Sequence, residues 1–268
     1  MEVGDRAVAE KMPRYECLLF DLDDTLYPES SGLSVACTKN IGDYVAQKFG
    51  LDRKEVTAYC RELYKKYGTT MAGLRALGYD FDYDDYHSYV HGRLPYENLK
   101  PDPVLKNLLL SMPQRKIIFT NSDKVHAAKV LSRLGLEDCF EGVICFETLN
   151  SSPETAENNN SWDVHFSVIS KTPVVCKPSI EAIERALVLA NADPKRTVFF
   201  DDSQRNIAAG KHVGLHTVLV GTSVRTEGAD LALESIHNIK EALPEIWEGN
   251  ENSEHSERAV GIETVVNA

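Results

Sequence analysis

Short apolar runs and amphipathic stretches alternate along most of this chain. Cys17–Phe20, Ile117–Phe119, Gly142–Phe146, Thr197–Phe200 and Thr217–Val220 are rich in β-branched or aromatic residues and bounded by Asp, Asn, Gly or Thr. Unbroken apolar runs of that length predict strands buried on both faces, as in a parallel sheet. Between them the spacing turns helical. Lys124–Leu134 aligns Val125, Ala128, Leu131 and Leu134, and Ser179–Leu189 aligns Ile180, Ile183 and Leu187. Asp230–Leu243, with Leu231, Leu233, Ile236, Ile239 and Leu243, is read as a further helix. Strands alternating with helices imply an α/β fold, a doubly wound (Rossmann-like) parallel sheet.

One interval breaks the alternation. Residues 28–100 hold no buried-strand pattern, only helical segments at Val35–Phe49, Arg53–Tyr67, Thr69–Leu77 and Asp82–His91. This predicts a helical cap inserted after the first strand. Pro101 and Pro103 mark the return to a core made of residues 14–27 and 101–247. Residues 1–13 read as a flexible tail, the polar stretch 150–171 as an exposed loop, and 248–268 as a disordered tail.

Composition narrows the class of partner. With 41 acidic against 29 basic residues, the net charge is −12. No basic run offers the clustered charge that a nucleic-acid polymer requires. A small anion remains compatible, because one lysine and a metal ion outweigh the global sign locally. The 6 cysteines are scattered without a C-x-x-C pair and read as reduced thiols. No apolar segment has the length of a membrane span, and residues 1–14 lack a signal-peptide pattern. A cytoplasmic location, with the nucleus as a second compartment, is the expectation; oligomeric state is not written in the sequence.

Four run ends carry candidate chemistry. Phe20-Asp21-Leu22-Asp23-Asp24-Thr25 crowds three carboxylates directly after a strand, where doubly wound folds bind ligands. They would repel one another without a cation or protons. Phe200-Asp201-Asp202-Ser203 ends another run in an acidic pair, and strands of one sheet can converge such groups on Mg²⁺. Phe119-Thr120-Asn121-Ser122 offers a hydroxyl and backbone donors, and Cys176-Lys177-Pro178-Ser179 places a lysine before a helix. There the helix dipole disfavours a cation unless an anion is near.

In this order the four segments resemble the motifs of the haloacid dehalogenase (HAD) superfamily, over about Tyr15–Val220. The insert resembles that superfamily's C1 cap. Tyr67-Gly68-Thr69-Thr70-Met71-Ala72-Gly73-Leu74 and Asp201–Ile207 look like its pyrimidine 5′-nucleotidase-like branch. The resemblance implies Asp21 as nucleophile, Asp23 as acid and base, and Thr120 and Lys177 as holders of phosphoryl oxygens. Asp21, the backbone carbonyl of Asp23, Asp202 and Asp201 would surround Mg²⁺. Asn121, Tyr67, Thr69 and Thr70 are candidate substrate contacts, although a packing role for the cap residues is equally consistent with their sequence. Asp24 and Thr25 read as structural.

The implied activity is hydrolysis of a small-molecule phosphomonoester, with UMP or CMP first and sugar phosphates, lysophospholipids and pyridoxal phosphate as alternatives. A phosphomutase would differ only in the acceptor. Enzymes accelerate such hydrolysis by up to ~10²¹-fold, roughly 28 kcal/mol. Neutral hydrogen bonds of about 1 kcal/mol each fall far short. Nucleophile, metal and proton transfer must therefore act together. Asp23 separates this chemistry from dehalogenation, since a departing halide needs no proton. A phospho-accepting signalling domain would place its acids on other strands, and a silent scaffold would not need them. His87 and His91 read as surface or cap residues without a third metal ligand, and the Tyr79–Tyr89 aromatics as packing.

Overall fold

The computed structural model describes residues 14–151 and 173–248. The expectations for 1–13, 150–171 and 248–268 lie outside the described residues, apart from 150, 151 and 248. Six strands form one parallel sheet: β1 (Cys17–Phe20), β2 (Arg115–Phe119), β3 (Gly142–Ile144), β4 (Thr197–Asp201), β5 (His216–Val220) and β6 (Leu231–Leu233). Their order is β3-β2-β1-β4-β5-β6, so β1 is central and the chain winds outward to both sides. This is the expected doubly wound α/β architecture.

Alternation along β1 explains why it is apolar at every position. Leu18 and Phe20 enter the core on one side of the sheet, with Ile118, Val198 and Phe200. Cys17 and Leu19 enter the other, with Phe119, Phe199 and Ile183. A strand with two covered faces has no position to spare for solvent. Helices α5 (Pro103–Leu110), α6 (Lys124–Leu134), α7 (Phe146–Leu149), α8 (Ile180–Leu189), α9 (Gln204–Val213) and α10 (Ile239–Ala242) complete the layers.

Four further helices lie between β1 and β2: α1 (Leu33–Phe49), α2 (Arg53–Tyr67), α3 (Thr70–Ala76) and α4 (Tyr83–Val90). Asp52, Thr69 and Asp82 accept backbone N–H bonds at the starts of α2, α3 and α4. Their apolar faces build a separate cluster around Tyr44, Val45, Leu63, Leu74 and Tyr86, in which Phe146, Val174 and Cys176 of the sheet-bearing part take part. Tyr79, Phe81, Tyr83, Tyr86 and Tyr89 pack there, as expected. Arg205 of α9 donates to the carbonyls of Tyr64 and Lys65, closing the end of α2.

Two expectations are corrected. The segment read as a helix over 230–243 begins with β6, whose Leu231–Leu233 pairs with Val218–Val220, and only Ile239–Ala242 is α-helical. Leu231 and Leu233 stand at a period of two, and the open edge of β5 gives those residues partners that a helix would not. The run 142–146 is a strand only to Ile144, because Phe146 opens α7. Helices α5 and α9 were absent from the sequence-based expectations. All six cysteines are free thiols, with Cys37 partly exposed and the others buried. Among the described residues, no helix is long and apolar enough to cross a membrane.

Candidate active site

Strand register brings the distant acids together. Phe20 pairs with Ile118 on one side and with Phe200 on the other, and the Asp21 amide donates to the Phe200 carbonyl at 2.8 Å. The next residues, Asp21, Phe119–Thr120 and Asp201, therefore leave neighbouring strands at one level. Carboxylate oxygens of Asp21, Asp201 and Asp202 all lie within 4.8 Å of one another.

Lys177 is the positive charge among them. Only 1% exposed, it donates at 2.7 Å to Asp21 Oδ1, to Asp201 Oδ2 and to the Phe119 carbonyl. These contacts use all three ammonium protons. Burial works against its charge, yet Asp201 and Asp21 more than offset this and raise its pKa. The sequence placed Lys177 before a helix, where a cation needs an anion near it, and Asp21 and Asp201 are those anions. Its loop is held by Asn121, whose side chain accepts from the Lys177 amide at 2.8 Å and donates to its carbonyl at 3.0 Å. Asn121 thus braces the lysine with the same groups it was expected to offer a substrate. Thr120 is buried, with its hydroxyl 2.9 Å from that of Ser122.

The two members of the acidic pair differ. Asp201 is fully buried and saturated: Ser203 N and Asn206 Nδ2 reach Oδ1, while Lys177 and Asn206 reach Oδ2. No side chain among the described residues holds Asp202. Desolvation, then the charges of Asp201 and Asp24, push its carboxyl up to about 7. Asp21 is also raised well above the carboxylate range. Burial is the main cause, and Asp201, Asp202 and Asp23 add to it against Lys177. One ammonium does not keep this group of carboxylates ionised, so the donor set fits a hard divalent cation.

Asp23 behaves otherwise. Its Oδ1 accepts from Tyr27 Oη at 2.5 Å and lies 2.6 Å from His126 Nε2. Burial would raise this carboxyl, but His126 and the Tyr27 bond outweigh it and hold it at about 2. Asp23 is thus held as a carboxylate, beside an imidazole whose own pKa is raised. Tyr96 Oη stands between the His91 carbonyl at 3.1 Å and His126 Nδ1 at 2.8 Å, and fixes the orientation of the imidazole. His126 lies in the first turn of α6, where the dipole disfavours a cation. Burial lowers its pKa further, and Asp23 and Asp123 together reverse the sign. His126 was missed in the sequence because a single histidine inside an amphipathic helix carries no spacing signal.

Asp24 follows in the left-handed region, with φ 57°, and accepts from Ser34. Its role is to turn the loop. Thr25 reaches Asp21 Oδ2 at 3.5 Å. A cavity of about 510 Å³ opens beside Asp23, lined in part by Thr38, Arg61, Tyr64, Thr70 and His126. Thr70 borders it while donating to the Cys60 carbonyl. Tyr67 and Thr69 do not border it. Thr69 caps α3, and the Tyr67 carbonyl accepts from Cys176 Sγ at 3.5 Å. Between them Gly68 runs against the core backbone: a Cβ there would stand 2.7 Å from the Lys177 carbonyl, at φ +93°. His87 and His91 also depart from expectation, since they meet Asp123 at the seam of α4 and α6.

Residues 15–214 match the haloacid dehalogenase-like hydrolases, and the chain belongs to that family. It is 24% identical over 227 residues to Phosphate metabolism protein 8 of Saccharomyces cerevisiae, covering 81% of this chain and 65% of the yeast protein. The chain thus spans less than two thirds of that curated relative. Among solved structures it is similar to a HAD phosphatase from Thermococcus onnurineus, with TM-score 0.53, 18% identity and coverage of 85% and 97% of the two chains. The magnesium-bound HAD hydrolase YfnB from Bacillus subtilis gives TM-score 0.53 and 18% identity, with coverage of 86% and 99%. At such identities the likeness is one of fold.

Proposed function

We propose that this hydrolase is a Mg²⁺-dependent phosphatase of small phosphomonoesters, acting through a phosphoryl group carried on Asp21. The observation that carries the reading is the pair Asp23–His126. A carboxylate two residues after the nucleophile, with the His126 imidazole 2.6 Å behind it and raised in pKa, equips the site to protonate a leaving oxygen. A halide would need none of this. The buried acids of β1 and β4 support the metal requirement, and YfnB, of like fold, was crystallised with magnesium.

Asp21 would attack phosphorus in line, the ester oxygen leaving with a proton that His126 passes on through Asp23, so that Asp23 ends the step as a carboxylate. Asp23 would then take a proton from the water that releases phosphate. Lys177 positions Asp21, and Thr120, at the end of the neighbouring strand, would hold a phosphoryl oxygen. Asp21, Asp202 and the Asp23 carbonyl would hold Mg²⁺, which supplies charge neutralisation for Asp21 and phosphate. Asp201 would orient Lys177 and Asn206 instead of binding directly, because its acceptor positions are taken. Residues 28–100 would act as a cap that excludes water.

The cavity of about 510 Å³ beside Asp23 suits a leaving group of nucleoside size, with Arg61, Thr38 and Thr57 as polar contacts. A larger cavity, about 910 Å³, borders Asp202 but not Asp23, and Asp21 lines neither; the smaller cavity is the one that reaches the Asp23–His126 pair. The pyrimidine 5′-nucleotidase-like reading rests on that space and on the 67–74 sequence, so UMP and CMP come first. A panel of phosphomonoesters assayed with Mg²⁺ and with chelator tests it. Release from nucleoside monophosphates only with Mg²⁺ is expected; equal release in chelator contradicts the metal requirement, and preference for another class moves the substrate assignment.

A further inference from the structure

Outside the acidic floor, a second group of ligating atoms gathers where α4 meets α6. His87 and His91 are four residues apart at the end of α4, which puts both imidazoles on one face. Asp123 caps α6 from the other side of the seam. Its Oδ1 is committed to the amides of Val125 and His126, both at 3.0 Å. Its Oδ2 is turned to the imidazoles, 2.5 Å from His91 Nδ1 and 3.4 Å from His87 Nδ1. All three donor atoms lie within 4.8 Å of one another.

His87 makes this more than an ion pair. It is 7% exposed, packed against the rings of Phe146 and Tyr86, and neither ring nitrogen has a hydrogen-bond partner. Its 3.4 Å approach to Asp123 lacks hydrogen-bond geometry. Burial, then the neighbouring His91, brings its pKa to about 4, so the ring is neutral and Nδ1 can present a lone pair. An unpartnered buried imidazole is costly, and a phenyl ring would fill the same space without that cost.

We propose that His87, His91 and Asp123 form a second metal site, selective for Zn²⁺ or a similar transition-metal ion, that ties α4 to α6. Two imidazole nitrogens and one carboxylate oxygen suit Zn²⁺, whereas the all-oxygen floor suits Mg²⁺. Bonds of about 2.0–2.1 Å give tetrahedral ligand separations near 3.3 Å, close to the 3.4 Å between His87 and Asp123. On metal binding the His91–Asp123 contact would open, and the proton between them would leave to solvent. A cavity of about 800 Å³, bordered by His87, His91 and Asp123, supplies the entry route and a water for the fourth position.

The proposal does not depend on the phosphatase reading. The test titrates the full chain, stripped by chelator and then saturated with Mg²⁺, with Co²⁺ followed by Zn²⁺. One equivalent of Co²⁺ should give a tetrahedral visible spectrum that Zn²⁺ abolishes, and Zn²⁺ should raise the Tm. Asp202→Asn should bind as tightly as wild type. His87→Phe, which keeps the ring packing, and His91→Ala should each weaken binding more than tenfold and lose the Tm shift. Equal binding by His87→Phe, loss in Asp202→Asn, or no spectrum at micromolar Co²⁺ each overturns the proposal.

Discussion

At the carboxyl ends of β1 and β4, the carboxylates share a single ammonium, and Asp21 and Asp202 are driven upward in pKa. At the seam with α6, Asp23 and Asp123 each meet an imidazole and are driven downward. Both regions are acidic and largely buried, with Asp202 the exposed member of the first and Asp23 the half-buried member of the second. The difference lies in the ratio of cations to carboxylates: on the floor one ammonium serves Asp21, Asp201 and Asp202, while at the seam each carboxylate has an imidazole beside it. The same contrast orders the tests.

The largest effect belongs to the floor. Asp21→Asn should lower phosphate release by on the order of 10⁴-fold or more, with an unchanged circular dichroism spectrum. Next comes its cation. Lys177→Met leaves Asp21 and Asp201 without their partner and should cost the metal-free protein about 3–5 kcal/mol, read from urea unfolding. An unchanged midpoint would mean that the floor's charge is balanced elsewhere.

The seam gives a sharper signature. His126→Gln should slow hydrolysis of an alkyl phosphate by about 10²-fold but affect p-nitrophenyl phosphate much less, since nitrophenolate departs unprotonated. Equal loss on both esters would assign His126 to structure alone. Between the regions, Gly68→Ala should cost about 1–3 kcal/mol through its positive φ and the Lys177 carbonyl. A Tm scan reads this directly.

The smallest effect is a pH dependence. The Asp202 carboxyl moves from an ordinary 3.8 when unfolded to about 7 when folded. The folded state therefore binds more protons between those values, and this contribution to stability is present below 3.8 and lost as pH rises through about 7. Without metal, Tm should fall over that window relative to Asp202→Asn. Added Mg²⁺ should remove the fall.

Much of this was legible because the floor is built at strand ends. An apolar run ending in Asp21 or Asp201 announces both a buried strand and its chemistry, and parallel pairing brings such ends together whatever their separation in sequence. The helices of residues 28–100 were legible through the spacing of their apolar residues. The seam was not. His126, His91 and Asp123 acquire meaning only from the packing of α4 on α6, a contact that no local periodicity encodes. Leu231–Leu233 failed for a related reason, because the edge of β5 decided its conformation. For Lys177 an anion nearby was expected, and the lysine's anions are the site's own aspartates, Asp21 and Asp201.

The account depends on Asp21 as the atom that receives phosphorus. Rapid acid quench during turnover of a nucleoside monophosphate, followed by peptide mass spectrometry, tests that most directly. A single phosphoryl group should appear on the peptide containing Asp21 and be absent from Asp21→Asn. Full turnover with no modified peptide, or with the group on another residue, would contradict it.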